Sequence, residues 1–160
     1  MRKLMKTPVF LVIILSSFLI PGLDKQAFYD ALAGRSKEIL EAEISKLEGE
    51  KSSSLKNAYT GALLMKKAEF EKGAGNKVKI FKKGANLLED EITENPGNVE
   101  YRFLRLTIQE HAPAILKYNK EIEKDKRVVL SGFEKLEPGL QKIVKKYSNG
   151  SRIIKPEELK

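Results

Sequence analysis

Arg102, Arg105 and Gln109 are the side chains whose types and spacing best suit chemistry. They lie three and seven positions apart in a stretch that is otherwise apolar: Val99, Tyr101, Phe103, Leu104, Leu106 and Ile108. At helical spacing the three share one face. A guanidinium presents a planar fork of donors that matches a carboxylate or a phosphate. Two of them on a greasy helix are costly to bury without partners. Two arrangements satisfy that constraint. The arginines can pair with Glu89, Asp90, Glu91 or Glu94 of the preceding segment, or they can line a groove that grips a ligand's carboxylate or phosphate. Tyr101 and Tyr118 are placed to rim such a groove.

The other polar residues point to less. His111 is the single histidine, so sites that need two imidazoles, including the zincin pair, are excluded. It ends the same stretch, where a cation favours the helix dipole. Lys72, Lys77, Lys79, Lys82 and Lys83 form a basic face that anionic surfaces attract. Phe81 among them takes a core position, so no aromatic platform accompanies the charge. A solvated face is expected, and nucleic acid is not expected as a partner. The acids Glu41, Glu43, Glu48, Glu89, Asp90 and Glu91 are expected on exposed helix faces. Acid–base catalysis needs two acids converging in a pocket, and the spacing selects no pair. The absence of cysteine excludes disulfides, thiol nucleophiles, thiolate metal sites and a lipid-bearing N-terminal cysteine. There is no glycine-rich phosphate loop, nucleophile elbow or calcium loop. No catalytic residue, metal ligand set or cofactor is expected.

The chain has 160 residues, a length that supports one domain. Charged residues make up 32%, above the roughly 25% of an average soluble protein, and the net charge is +8. Part of that charge belongs to the N-terminus. Arg2, Lys3 and Lys6 precede the run VFLVIILSSFLI at residues 9–20, which Pro21-Gly22 breaks. The run fits a secretory signal core of about 7–15 residues and falls short of the about 20 that span a bilayer. A signal peptide over 1–22 is expected, and its removal leaves a balance of +5. The cleavage site is imperfect, because Ile20 is not small. An uncleaved anchor through residues 9–20 is the alternative, and the one route to a membrane.

Downstream, apolar residues recur with a helical period. Ala27, Phe28, Ala31 and Leu32 mark a helix over about 25–33 that Gly34 ends. Ser36 caps a second, with Ile39, Leu40, Ile44 and Leu47 inward. Leu55, Ala58, Tyr59, Ala62 and Leu63 trace a third core-facing stripe. Gly73-Ala74-Gly75 stops it, and Asn76 is placed to cap a fourth, carrying Phe81, Gly84, Ala85, Leu88 and Ile92. Asn95-Pro96-Gly97-Asn98 separates that helix from the apolar one, which is expected at the centre of the fold. Helices over about 120–136 and after Pro138 complete the series, with Ile122, Val129, Phe133, Leu136, Leu140, Ile143, Val144 and Tyr147 inward. The helical domain thus covers 23–148, and 149–160 is expected to be a flexible charged tail.

Two resemblances follow from these motifs. Gly84, Leu88 and Pro96 have the small–large–proline spacing of the second helix of a tetratricopeptide-type hairpin, so residues 55–110 resemble that repeat. Glu91 stands where the repeat has alanine, and its tryptophan is missing. AFYDALAG, AYTGALLMKKA and NPGNVEYRFLRLTIQEHAP together resemble a group of small exported bacterial helical proteins, which implies class and destination but no activity. The expected fold is all-α, an irregular stack of antiparallel helical hairpins, as a tetratricopeptide-like solenoid or a compact bundle. The expected function is that of an exported, non-enzymatic module that offers an inter-helical groove to a protein or peptide. A small envelope hydrolase with an acid pair and an N-terminally anchored structural protein are the alternatives.

Overall fold

A computed structural model describes residues 23–160, and the expected signal segment lies outside them. The fold is all-α. Seven helices occur among the described residues, and no strand: α1 Lys25–Ala33, α2 Lys37–Gly49, α3 Ser54–Lys67, α4 Ala74–Glu94, α5 Val99–His111, α6 Ile122–Gly132 and α7 Pro138–Ser148. Short 3₁₀ turns follow α3, α5 and α6.

Local chemistry sets most of the boundaries. Asp24, Ser36, Ser53 and Asn98 each accept a hydrogen bond from the third residue onward, at 3.1–3.2 Å, and so satisfy one free N–H of α1, α2, α3 and α5. Pro138 opens α7, where its missing N–H has no cost. Asn76 does not cap α4. The helix begins two residues earlier, after Gly73, whose φ of 79° suits glycine.

The closest pairing in the fold is that of α3 with α4. Gly61 and Gly84 face each other there, backbone against backbone. A Cβ at Gly61 would lie 2.7 Å from the Gly84 carbonyl oxygen and 2.9 Å from the Leu88 nitrogen. α5 then runs through the centre, with Tyr101, Phe103, Leu104, Leu106 and Ile108 all buried. Beside it Phe28, Tyr29, Tyr59, Phe103 and Tyr147 form an aromatic cluster from α1, α3, α5 and α7, with Phe28 stacked on Tyr59 at 3.7 Å.

Three other expectations are corrected. Ile39 is 60% exposed, so α2 turns Leu40, Ile44 and Leu47 inward without it. Glu43 and Glu91 are buried instead of solvated. Lys46 pairs with Glu43 at 2.9 Å, and the Asn57 amide donates to Glu91 at 2.8 Å. The segment 149–160 is not a frayed tail. Ile154 is fully buried, and Glu110 holds the start of the segment by accepting from Ser151 Oγ (2.8 Å) and the Arg152 N–H (2.6 Å). Lys126 pairs with Glu158 at 2.8 Å near the chain end. One buried isoleucine and one buried acceptor outweigh the polar composition that suggested fraying.

Candidate functional site

Arg102, Arg105 and Gln109 do converge, but on a buried acid that the sequence reading did not name. Asp125 of α6 is fully buried and accepts four hydrogen bonds. Arg105 gives it two, from Nε and Nη2, each 2.7 Å long. Arg102 Nη1 donates at 3.1 Å and Gln109 Nε2 at 3.0 Å. Arg105 Nη1 also reaches Glu89 at 2.5 Å, and Arg102 Nε donates to the Pro96 carbonyl at 3.0 Å. Of the four acids expected to pair with the arginines, Glu89 alone does so. Burial disfavours the charge on Arg105, but Asp125 and Glu89 outweigh it and hold its pKa above the ordinary value.

The cluster therefore clamps α4, α5 and α6 together. Both guanidiniums are about 5% exposed and face protein acceptors, so they have no opening to a ligand. Tyr118 completes the clamp by donating to Glu89 at 2.7 Å. Burial and then the Glu89 carboxylate raise its pKa. Tyr101 is buried as well, and it rims nothing. Burial, followed by Glu91 and Glu100, raises its pKa. The signal for Asp125 was present. It lies three residues after Ile122 and four before Val129, on the inward stripe of α6.

A site open to a ligand lies elsewhere. A cleft of about 1060 Å³ opens between α1, the end of α3, α4, α5, the turn at 114–116 and α7. Its walls are hydrocarbon and aromatic, including Met65, Val78, Phe81, Phe103, Ile108 and Leu116. Its lip carries Ile115, which is 87% exposed. Lys66, Lys77, Lys82 and Lys146 stand around it, with Asp30, Glu69 and His111. Lys66 pairs with Glu69 at 2.7 Å and Lys146 with Asp30 at 3.4 Å, while Lys77 and Lys82 have no carboxylate partner among the described residues.

A second hollow of about 590 Å³ adjoins this cleft. The two share Ala33, Lys66, Glu69 and His111, and the second adds Arg35 and Phe70. Of the residues expected to line a groove, only Tyr118 touches the cleft. The buried acids Glu43, Glu91, Glu100 and Asp125 do not line it. Each of the four accepts a side-chain hydrogen bond from the protein. No group of three or more His, Cys, Asp or Glu placed to hold a metal occurs among the described residues, and no helix there is long and apolar enough to cross a membrane.

Comparisons with protein-family models, curated proteins and solved structures return no match.

Proposed function

We propose that the protein is an exported, non-enzymatic binding module that holds the apolar part of a partner in the cleft between α1, α4, α5 and α7. The size and apolar lining of that cleft carry the reading. Ligand pockets are concave, mostly hydrocarbon-lined and about 300–1,000 Å³ in volume, with a few polar groups at the margin. An apolar hollow of this size is unfavourable to hydrate, and the water in it gives way readily to an apolar guest. Ile115 at the lip is a second sign, because a guest seated in the cleft would cover it.

The non-enzymatic part rests on the chemistry of the lining. The acids beside the cleft, Asp30 and Glu69, are each paired with a lysine, and the buried acids serve as acceptors inside the fold. Export rests on the basic head and the apolar run at residues 9–20, with release after about residue 22. The α3–α4 pair, close-packed through Gly61 and Gly84, fits a tetratricopeptide-like hairpin. In this reading it works as a wall of the cleft.

Uptake of a neutral hydrophobic dye, N-phenyl-1-naphthylamine, by the full chain tests the proposal. Saturable binding that Val78→Trp or Thr107→Trp abolishes, with the melting temperature retained, supports it. Absence of saturable uptake, or uptake that neither plug alters, overturns it.

A further inference from the structure

We propose that the occupant of the cleft is an anionic amphiphile, with a hydrocarbon tail among Val78, Ile108 and Leu116 and its carboxylate or phosphate head at Arg35, Lys66 and His111. The inference deepens the reading of the cleft as a binding site and rests on it.

Its first support is continuity. The apolar cleft and the smaller hollow adjoin, with Ala33, Lys66, Glu69 and His111 lining both. A ligand that fills the first and reaches the second needs an apolar body and a polar end. The second support is charge. Arg35 is exposed and has no ion pair among the described residues, and Lys66 has a single acid, Glu69, within reach. Lys77, whose Nζ lies 3.4 Å from the Glu69 carbonyl oxygen, and Lys82 add positive potential along the cleft. The rim therefore favours an anion, and the guanidinium fork of Arg35 suits a carboxylate or phosphate.

The third support is the shape of the guest. A methylene fills roughly the space of one liquid water, roughly 30 Å³. A sixteen-carbon chain then needs roughly 480 Å³, so the cleft of about 1060 Å³ takes such a tail with space to spare. An extended peptide would bring an N–H and a C=O per residue into walls made of helices, whose own backbone groups are already bonded. Those groups would go unpaired at a cost that a hydrocarbon chain does not incur.

Calorimetric titration of the full chain with hexadecanoate, hexadecyl phosphate, hexadecanol and hexadecyltrimethylammonium, each below its micelle or solubility limit, tests the inference. We expect both anions to bind at least about tenfold more tightly than the alcohol, and the ammonium compound most weakly. Shortening the tail should weaken binding by about fourfold per methylene. Arg35→Ala/Lys66→Ala should cut anion affinity about tenfold, and Val78→Trp should abolish binding. Preference for hexadecanoate points to free fatty acids and preference for the phosphate to lipid headgroups, and either supports the inference. Equal affinity for anion, alcohol and cation overturns the head assignment while leaving the cleft reading in place. An amphipathic peptide that binds while all four amphiphiles fail overturns the inference alone. Failure of the amphiphiles together with the neutral dye removes both.

Discussion

Replacing Asp125 by Asn should unfold the molecule far more readily than its conservative shape suggests. Asp125 is fully buried and, among the described residues, is the only one that binds Arg102, Arg105 and Gln109 together. The amide keeps the volume and loses the charge, and its NH₂ group points donors at donors. Arg105 retains Glu89 at 2.5 Å, with Glu121 a more distant 3.8 Å away. The amide's one oxygen can replace only one of the two carboxylate oxygens, so either Arg102 and Arg105 Nη2 or Arg105 Nε and Gln109 lose their acceptor. Breaking a buried ion pair from one side costs about 3–5 kcal/mol. The remaining Glu89 contact places D125N in the lower half of that range, about 3–4 kcal/mol. Total stability is of order 5–15 kcal/mol, so the loss should lower the melting temperature by roughly 10 °C. Urea unfolding followed by far-UV circular dichroism measures it, with the slope against denaturant unchanged. The fourfold replacement Arg102→Met/Arg105→Met/Gln109→Met/Asp125→Leu should be within about 1 kcal/mol of the parent, because a hydrocarbon clamp needs no counter-charge and leaves no buried amide unpaired. A D125N cost below about 1 kcal/mol would refute the reasoning. So would a D125N protein that is stable but has lost dye uptake, since the clamp would then be part of the binding surface.

Gly84→Ala should destabilise the fold by about 1–3 kcal/mol, since its Cβ would lie 2.8 Å from the Met65 nitrogen and drive α3 and α4 apart. Gly75→Ala, where a Cβ meets nothing within 4 Å, should be neutral or slightly stabilising in the same melting assay. The C-terminal clasp should open in acid. Burial raises the pKa of Glu110, but hydrogen bonds from Tyr147, the Arg152 N–H and Ser151 prevail and set it below the ordinary 4.5. A carboxylate with a lowered folded pKa stabilises above its unfolded value, and that stability is lost as pH falls through the folded one. Proteolysis after residue 148 should therefore accelerate below about pH 4.5, and Glu110→Gln should remove the acid dependence by leaving the clasp loose at every pH.

The helices were legible because their boundaries are written locally. Asp24, Ser36 and Asn98 stand at positions where a free backbone N–H needs an acceptor, and Pro96-Gly97 and Pro138 break the chain where a helix ends or begins. The arginine face was legible as a group, because three residues at helical spacing must meet one environment. Its partner was hidden in the charged string IEKDKR, where Asp125 reads as surface until the α6 stripe is traced through Ile122 and Val129. Ile39 shows the converse. Its hydropathy promised burial, but among the described residues no element covers that side of α2. The fate of residues 149–160 turned on Ile154 and on Glu110, forty-odd positions earlier, a distance over which periodicity carries no information. The cleft was illegible for the same reason. Met65, Val78, Ile108 and Leu116 carry no distinguishing signal as single apolar residues, and only the mutual placement of five helices and a turn leaves the space between them unfilled.

The measurement that bears most directly on the apolar cleft as the working surface is nuclear Overhauser mapping of the full chain bound to a hydrocarbon-tailed ligand. Contacts from the tail to the methyl groups of Val78, Ile108, Ile115 and Leu116 are the predicted result. Contacts confined to other surfaces, or a ligand that leaves these four methyl groups unperturbed, would contradict it.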